Sequence, residues 1–492
     1  MLDTIDFKRK EATGRLDQSK RASLGQYLTS DILANFIASF FSNELLGDSN
    51  ILDAGAGIGS LTAAFLERKI TGWGKSKHIT VTAYEIDTIL MQYLSENMSD
   101  YKDQLDLLGI QLTTDLKLID YIRLSVANIQ AGSNPIFTHA ILNPPYKKMD
   151  SGSDHRLLLS EIGIETVNLY SAFVSLAIMQ LKDGGELVAI IPRSFCNGNY
   201  YKSFRNLISE QTSIKRLHLF KSRNDSFKDD QVLQENIIIH LVKNGIQGDV
   251  LISHSSDAGL EDLDISTYPY EQIVKPMDSE SFIHVPSIEA NEIELSANIS
   301  FTLADLGIRV STGPVVDFRS QEHIFMEPGP DTVPLIYPMH FNGTGIEWPK
   351  TGKKPNAIAR NNETQKMLFP TGFYTVVKRF SSKEEKQRIV ARIIDPTELV
   401  SDFIGLENHL NVFHFEKRGI DEFLAYGLAA FLNSRLVDTH FRSFNGHTQV
   451  NATDLKQMKY PSRDILIELG RWAKENASFI PEEMDTQIRL IL

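Results

Sequence analysis

The chain has 492 residues, a formal net charge of −13 at pH 7 and a single cysteine, Cys196. That length accommodates two or three domains of about 100–200 residues each, and one cysteine excludes both an intramolecular disulfide framework and a cysteine-rich zinc site. The acidic balance argues against a protein that coats nucleic acid indiscriminately, because such proteins are basic overall; it leaves room for a local cationic groove.

From the N-terminus, the charged stretch Met1 to Lys10 lacks the apolar core of a secretory signal. No later run approaches the roughly 18 apolar residues needed to span a bilayer, so a cytoplasmic protein with no membrane partner is expected. Leu24-Gly25-Gln26-Tyr27-Leu28-Thr29-Ser30-Asp31 reads as a loop leading into a helix. Thr29, Ser30 and Asp31 can all cap it, and Ile32, Leu33, Phe36, Ile37 and Phe40 follow at helical spacing. Asn50-Ile51-Leu52 predicts a strand, and Asp53-Ala54-Gly55-Ala56-Gly57-Ile58-Gly59-Ser60 a loop into a helix beginning near Leu61. Glycines there let the backbone turn tightly and approach a ligand closely. The strand Ile79 to Ala83 then runs into Tyr84-Glu85-Ile86-Asp87, and a carboxylate at that position can chelate the two ribose hydroxyls of an adenosine. Asp53 at the head of the glycine loop suits a cationic or amino-bearing ligand better than a pyrophosphate. An ordinary dinucleotide fold, the rival reading, carries Gly-x-Gly-x-x-Gly instead.

After a helix near Ile89 to Asn97, a strand is expected over Ile110 to Asp115. Asp115 can accept from an adenine amino group or simply cap the next turn. His139 to Leu142 predicts a short buried strand that Asn143-Pro144-Pro145-Tyr146 must end, since Pro144 cannot donate to a ladder and biases Asn143 toward an extended conformation. The Asn143 side-chain oxygen and the Pro144 carbonyl can both accept hydrogen bonds from one exocyclic amino group, and Tyr146 offers a face to a planar base. That combination suits chemistry on the amino group of a nucleobase; a strand-ending turn without chemistry is the alternative. Asp150 to Asp154 reads as a mobile loop, and Asn168 opens a helix with Phe173, Leu176, Ala177, Met179 and Leu181 on its apolar side. Gly185 to Pro192 is a buried strand, and Ile214 to Phe220 can pair with Glu235 to Lys243. Alternating strands and helices predict an α/β fold with a mostly parallel sheet and an antiparallel last strand.

Taken in order, Leu-Gly-Gln-Tyr-Leu-Thr (24–29), Asp-Ala-Gly-Ala-Gly-Ile-Gly (53–59), Tyr-Glu-Ile-Asp (84–87), Asn-Pro-Pro-Tyr (143–146), Asn-Leu-Tyr-x-x-Phe (168–173) and Gly-Gly-Glu-Leu-Val-x-x-Ile-Pro (184–192) resemble the adenine-specific DNA methyltransferases of the gamma arrangement. The resemblance implies a Rossmann-like S-adenosyl-L-methionine-dependent sheet followed by a C-terminal mixed α+β target-recognition domain. It also implies that Tyr27, Thr29, Asp53, Gly55, Gly57, Glu85, Asp115 and Asn143 bind S-adenosyl-L-methionine. Asn143, Pro144, Pro145 and Tyr146 would hold a flipped adenine, with Phe227 as a second stacking aromatic. Double-stranded DNA and a separately encoded restriction endonuclease are the implied partners, and a monomer or weak dimer the implied state. Ser30 and Ala54 stand where that family commonly has proline, which puts loop geometry rather than chemistry in question.

Ser255 to Glu294 is acidic and proline-dotted, so the expected boundaries are a catalytic domain over 1–245, a connection over 246–300 and a recognition domain over 301–492. The last part also resembles, loosely, the recognition domains of type II enzymes related to the PstI and BsuBI methylases. Within it Lys378, Arg379 and Lys383 are candidate phosphate contacts, and His447, Gln449 and Asn451 candidate readers of base edges; turn and capping chemistry is the alternative for the latter group. No metal site is expected, and Glu384-Glu385-Lys386 lacks the upstream acid of a metal-dependent nuclease. Methylation of RNA adenine or protein glutamine, and a non-catalytic DNA-binding relative, are the competing functions.

Overall fold

A computed structural model describes residues 2–16, 28–42, 47–71, 77–220, 235–286, 298–381, 385–445, 449–477 and 479–491. The chain divides into two units, Met1–Val285 and Pro286–Leu492. In the first, helices α1 (Leu2–Arg15) and α2 (Asp31–Ala38) precede β1 (Ser49–Ala54), α3 (Ser60–Ile70), β2 (His78–Glu85), α4 (Thr88–Leu107), β3 (Gln111–Leu118) and α5 (Tyr121–Gln130). Then come β4 (Phe137–Leu142), α6 (Asp154–Glu161), α7 (Leu169–Gln180), β5 (Leu181–Pro192), α8 (Lys202–Gln211), β6 (Thr212–Phe220), β7 (Asn236–Lys243), β8 (Val250–Ser255) and β9 (Asp264–Tyr268).

All nine strands join one sheet in the order β3-β2-β1-β4-β5-β7-β6-β8-β9. The first five in that order run parallel, and β7 lies antiparallel between β5 and β6, as the sequence pattern led us to expect. Both faces are covered, which is why the central strands read as unbroken apolar runs. Alternate residues divide between two cores: Leu52, Leu142, Leu187 and Ile191 pack on one side, Ile51, Ile141, Val188 and Ile190 on the other. Parallel strands starting from one edge deliver all their loops to the other. The ends of β1, β2, β3 and β4 therefore converge, which is the fold's contribution to a site.

Three expectations are corrected. The strand expected to end at Asp115 continues to Leu118, paired with β2 through Glu85↔Leu118. The loop expected over Asp150 to Asp154 is cut short, because Asp154 already opens α6. The stretch expected as a connection from 246 supplies β8 and β9, whose pairing to β6 and to each other extends the sheet. Its Ser- and Asp-rich composition reads as a linker, yet Val250 and Ile252 are buried on alternate positions of an outer strand.

The second unit is built of short strands. Arg309–Thr312, Leu410–His414, Tyr374–Lys378 and Ala391–Ile394 form a four-stranded antiparallel sheet, and a five-stranded sheet centres on Thr332–Ile336. Helices Glu422–Asn433 and Arg463–Asn476 cross against each other through two glycines. A Cβ on Gly427 would lie 1.8 Å from the Leu466 carbonyl oxygen, and one on Gly470 1.8 Å from that of Phe423. No helix among the described residues is long and apolar enough to cross a membrane.

Candidate active site

At the end of β1, Asp53 is buried, with Thr62 Oγ1 donating to its Oδ2 at 2.6 Å. Its Oδ1 is buried without a partner among the described residues. Burial pushes this carboxyl up to about 7; the Thr62 bonds oppose the shift and the nearby Glu85 charge adds to it. The chain then turns through Gly55 and Gly57 at φ 78° and 58°, a region that side chains avoid. The Gly55 and Ala56 amides both donate to the Tyr84 carbonyl at 2.9 Å, folding the loop across the end of β2.

Glu85, the last residue of β2, ties that loop to the next turn. Its Oε2 accepts from Gly57 N at 2.9 Å and its Oε1 from Ile86 N and Asp87 N, each at 2.8 Å. Burial raises its pKa and the three backbone bonds pull against that. A carboxylate with roughly four lone-pair sites keeps capacity for one further donor. Asp87 in turn caps α4, accepting from Ile89 N and Leu90 N.

The glycine loop and Glu85 line a cavity of about 290 Å³, whose wall includes neither Asp53 nor Thr29. Gly55, Gly57, Glu85, Asn143 and Pro145, each expected from the sequence, share its wall. Asp115 is not there: it lies within β3, half-exposed, and pairs with Lys117 at 2.7 Å. The acid that reaches the cavity is Asp120, five residues on, because β3 continues past Asp115. Asp120 caps α5 by accepting from Arg123 N and holds His155 Nε2 at 2.8 Å. Burial opposes its ionisation, but these bonds outweigh it and hold the carboxyl below its ordinary value. Tyr84, Tyr121 and Phe173 build an aromatic wall, Tyr121 lying 4.9 Å from Tyr84 and 5.0 Å from Phe173 between ring centroids. Sequence reasoning missed Asp120, Tyr121 and Ile86, although an acid immediately after an apolar strand end was the available signal.

Asn143 stands at the lip of the same cavity, one residue past β4. Its amide is held at both ends: Nδ2 donates to Thr29 Oγ1 at 3.0 Å, and Tyr146 Oη donates to Oδ1 at 3.0 Å. Tyr146 Oη also reaches the Ile190 carbonyl at 3.1 Å, anchoring the ring to β5. Behind it, Leu169 N donates to Lys147 O and Met149 N to Val167 O, so a two-bond clamp fixes the chain leaving the motif. Pro144 is buried and Pro145 lines the cavity. Tyr27 and Phe227 lie outside the described residues.

The Eco57I restriction-modification methylase family matches residues 68–227. Over nearly the full length the chain is similar to the type II methyltransferase M.BsuBI of Bacillus subtilis, at 50% identity across 100% of this chain and 98% of the relative. It is 43% identical to the type II methyltransferase M.PstI of Providencia stuartii, across 95% and 92% respectively. This chain belongs to the type II restriction-modification methyltransferases. Among solved structures, the DrdV–DNA complex aligns over 93% of this chain and 57% of that one at 11% identity, with a TM-score of 0.49, too loose to bear on function.

The methyltransferase's second unit treats its expected residues unequally. Arg379 and Gln449, 70 positions apart, meet: Arg379 donates through Nη1 to the Asn408 carbonyl at 3.2 Å and through Nη2 to Gln449 Oε1 at 3.5 Å. Lys378 is turned to Glu385, 2.9 Å away. Asn451 caps the helix Ala452–Gln457, its backbone and side-chain nitrogens both donating to Asp454. Lys383 and His447 lie outside the described residues.

Proposed function

We propose that this methyltransferase transfers a methyl group from S-adenosyl-L-methionine to the N6 amino group of an adenine, flipped out of double-stranded DNA at a specific sequence. It thereby protects host DNA from a cognate endonuclease. The observation that carries the reading is that Asn143, fixed by Thr29 and Tyr146, borders the cavity formed by the glycine loop and Glu85. The residues present fit the cofactor: a carboxylate with spare acceptor capacity for hydroxyls, an aromatic wall for a planar ring, and a buried Asp53 oxygen that accepts from no donor among the described residues. Glu85, Asp120, Tyr121 and Phe173 would hold it, and when bound it supplies an electrophilic sulfonium methyl.

An adenine amino nitrogen is a weak nucleophile because its lone pair is delocalised into the ring. Asn143 Oδ1 and the Pro144 carbonyl accept hydrogen bonds from its two hydrogens, which favours a pyramidal nitrogen. As the N–C bond to the methyl forms and the S–C bond breaks, the nitrogen would become cationic and acidic and release one proton to solvent, so no strong general base is needed. The Tyr146 bond keeps the oxygen of the Asn143 amide, and not its NH2 group, on the acceptor side. Stacking against an aromatic face, at about 1–3 kcal/mol per base, offsets much of the cost of extruding the target.

Tritiated-methyl transfer to separate DNA, RNA and protein pools tests the reading. Incorporation into DNA alone, appearing as N6-methyladenine at one sequence motif when that DNA is sequenced, is expected. Label in RNA or protein instead removes DNA as the substrate.

A further inference from the structure

We propose that Phe380 and His409 in the second unit form a platform that reads bases of the target, with Arg379 and Gln449 at its edge; this rests on the DNA-methylating reading above. The two rings arrive from remote segments. Phe380 follows the strand Tyr374–Lys378, and His409 sits in the turn between the strands Phe403–Leu406 and Leu410–His414. Their centroids lie 4.9 Å apart with the planes tilted by 40°. Phe380 is 40% exposed, so the pair presents an aromatic face to solvent.

His409 is oriented from below. Glu407 is completely buried, and both its oxygens are used on this one residue: Oε2 accepts from His409 N at 2.9 Å and Oε1 meets ring Nδ1 at 2.5 Å. Support of the turn needs only the backbone bond; the second bond fixes the ring. A carboxylate only accepts, so Nδ1 carries a proton and donates to Glu407, which turns Nε2 away from the carboxylate. Nε2 has no partner among the described residues, and it is not among the buried unpartnered atoms. It faces solvent.

The neighbours supply complementary groups. Arg379 lies 5.9 Å from the Phe380 ring, and its Nε, like Asn408 Oδ1, is buried without a partner among the described residues. Gln449 offers its oxygen to Arg379, which leaves its NH2 group as a donor. An apolar ring, an outward imidazole nitrogen, an amide donor and a cation within one patch is the mixture that reads base edges and packs on base faces or thymine methyls.

The test uses the full-length protein with Phe380→Ala, His409→Ala and Gln449→Ala. Methyl transfer is measured on the duplex that wild type modifies and on its single-base-pair variants, with cofactor binding followed by calorimetry. Each substitution is expected to lower kcat/KM on the cognate duplex about 10- to 100-fold and to narrow discrimination at one base position. Cofactor affinity should stay within about twofold. Unchanged discrimination, or an equal loss on every duplex accompanied by a lowered Tm, overturns the proposal and leaves the methyltransferase reading standing. A wild-type protein that methylates no DNA overturns both.

Discussion

The two units solve the problem of gathering polar groups in opposite ways. In the first, parallel strands deliver Asp53, Glu85, Asp120 and Asn143 to one edge, each just at or beyond a strand end, so the site follows from the sheet. In the second, strands of two to five residues place chemistry in turns, and Arg379, His409 and Gln449 meet only because loops from different segments pack together. The lesson is that a site on a parallel sheet is addressed by topology, whereas a site on short antiparallel strands is addressed by packing alone.

The comparison is tested first at its strongest point. Asn143→Ala should lower methyl transfer by at least about 10²-fold, the scale of losing one group aimed at a reacting centre, while calorimetry finds cofactor affinity within a few-fold. Retained turnover would remove Asn143 from the chemistry. Gly427→Ala should strike the second unit alone. Its Cβ meets backbone that cannot yield without parting two helices, a cost on the order of 3 kcal/mol. DNA binding measured by anisotropy should fall, and cofactor affinity should persist; joint loss of both would mean that the units do not act separately.

Tyr146→Phe is subtler. It keeps the ring and removes the hydroxyl bonded to Asn143 and Ile190, so kcat should drop about 5- to 10-fold, as expected for one neutral hydrogen bond. Cofactor affinity should be unchanged, and a kcat equal to wild type would confine Tyr146 to stacking. A last test concerns Asp53, whose pKa is raised from an ordinary 3.8 to about 7 and whose effect falls on stability and not on methyl transfer. The folded state therefore holds its proton more tightly than the unfolded one, and stability falls as pH rises from about 4 to 7. Between pH 5 and 8 the Tm of wild type should fall more steeply than that of Asp53→Asn; parallel profiles would contradict the burial of a strained carboxyl.

The sequence alone determined strands β1 to β7 of the first unit in their order, and with them several residues that line its cavity. Strand-to-loop junctions at Asp53, Glu85 and Asn143 are legible because glycine, proline and an acid after an apolar run each have a local physical cause. Tertiary structure decided what such local rules do not contain. Whether a strand stops at Asp115 or Leu118 depends on its pairing with β2, and that choice moves the cavity's acid to Asp120. The acidic stretch after residue 246 joins the sheet because β6 offers it an open edge, which composition does not register. In the second unit Arg379 found Gln449 through a contact between segments 70 residues apart, whereas the Asn451 cap on Asp454 is local. Periodicity reports which face a residue takes on its own element; which distant loop lies opposite is fixed only when the chain packs.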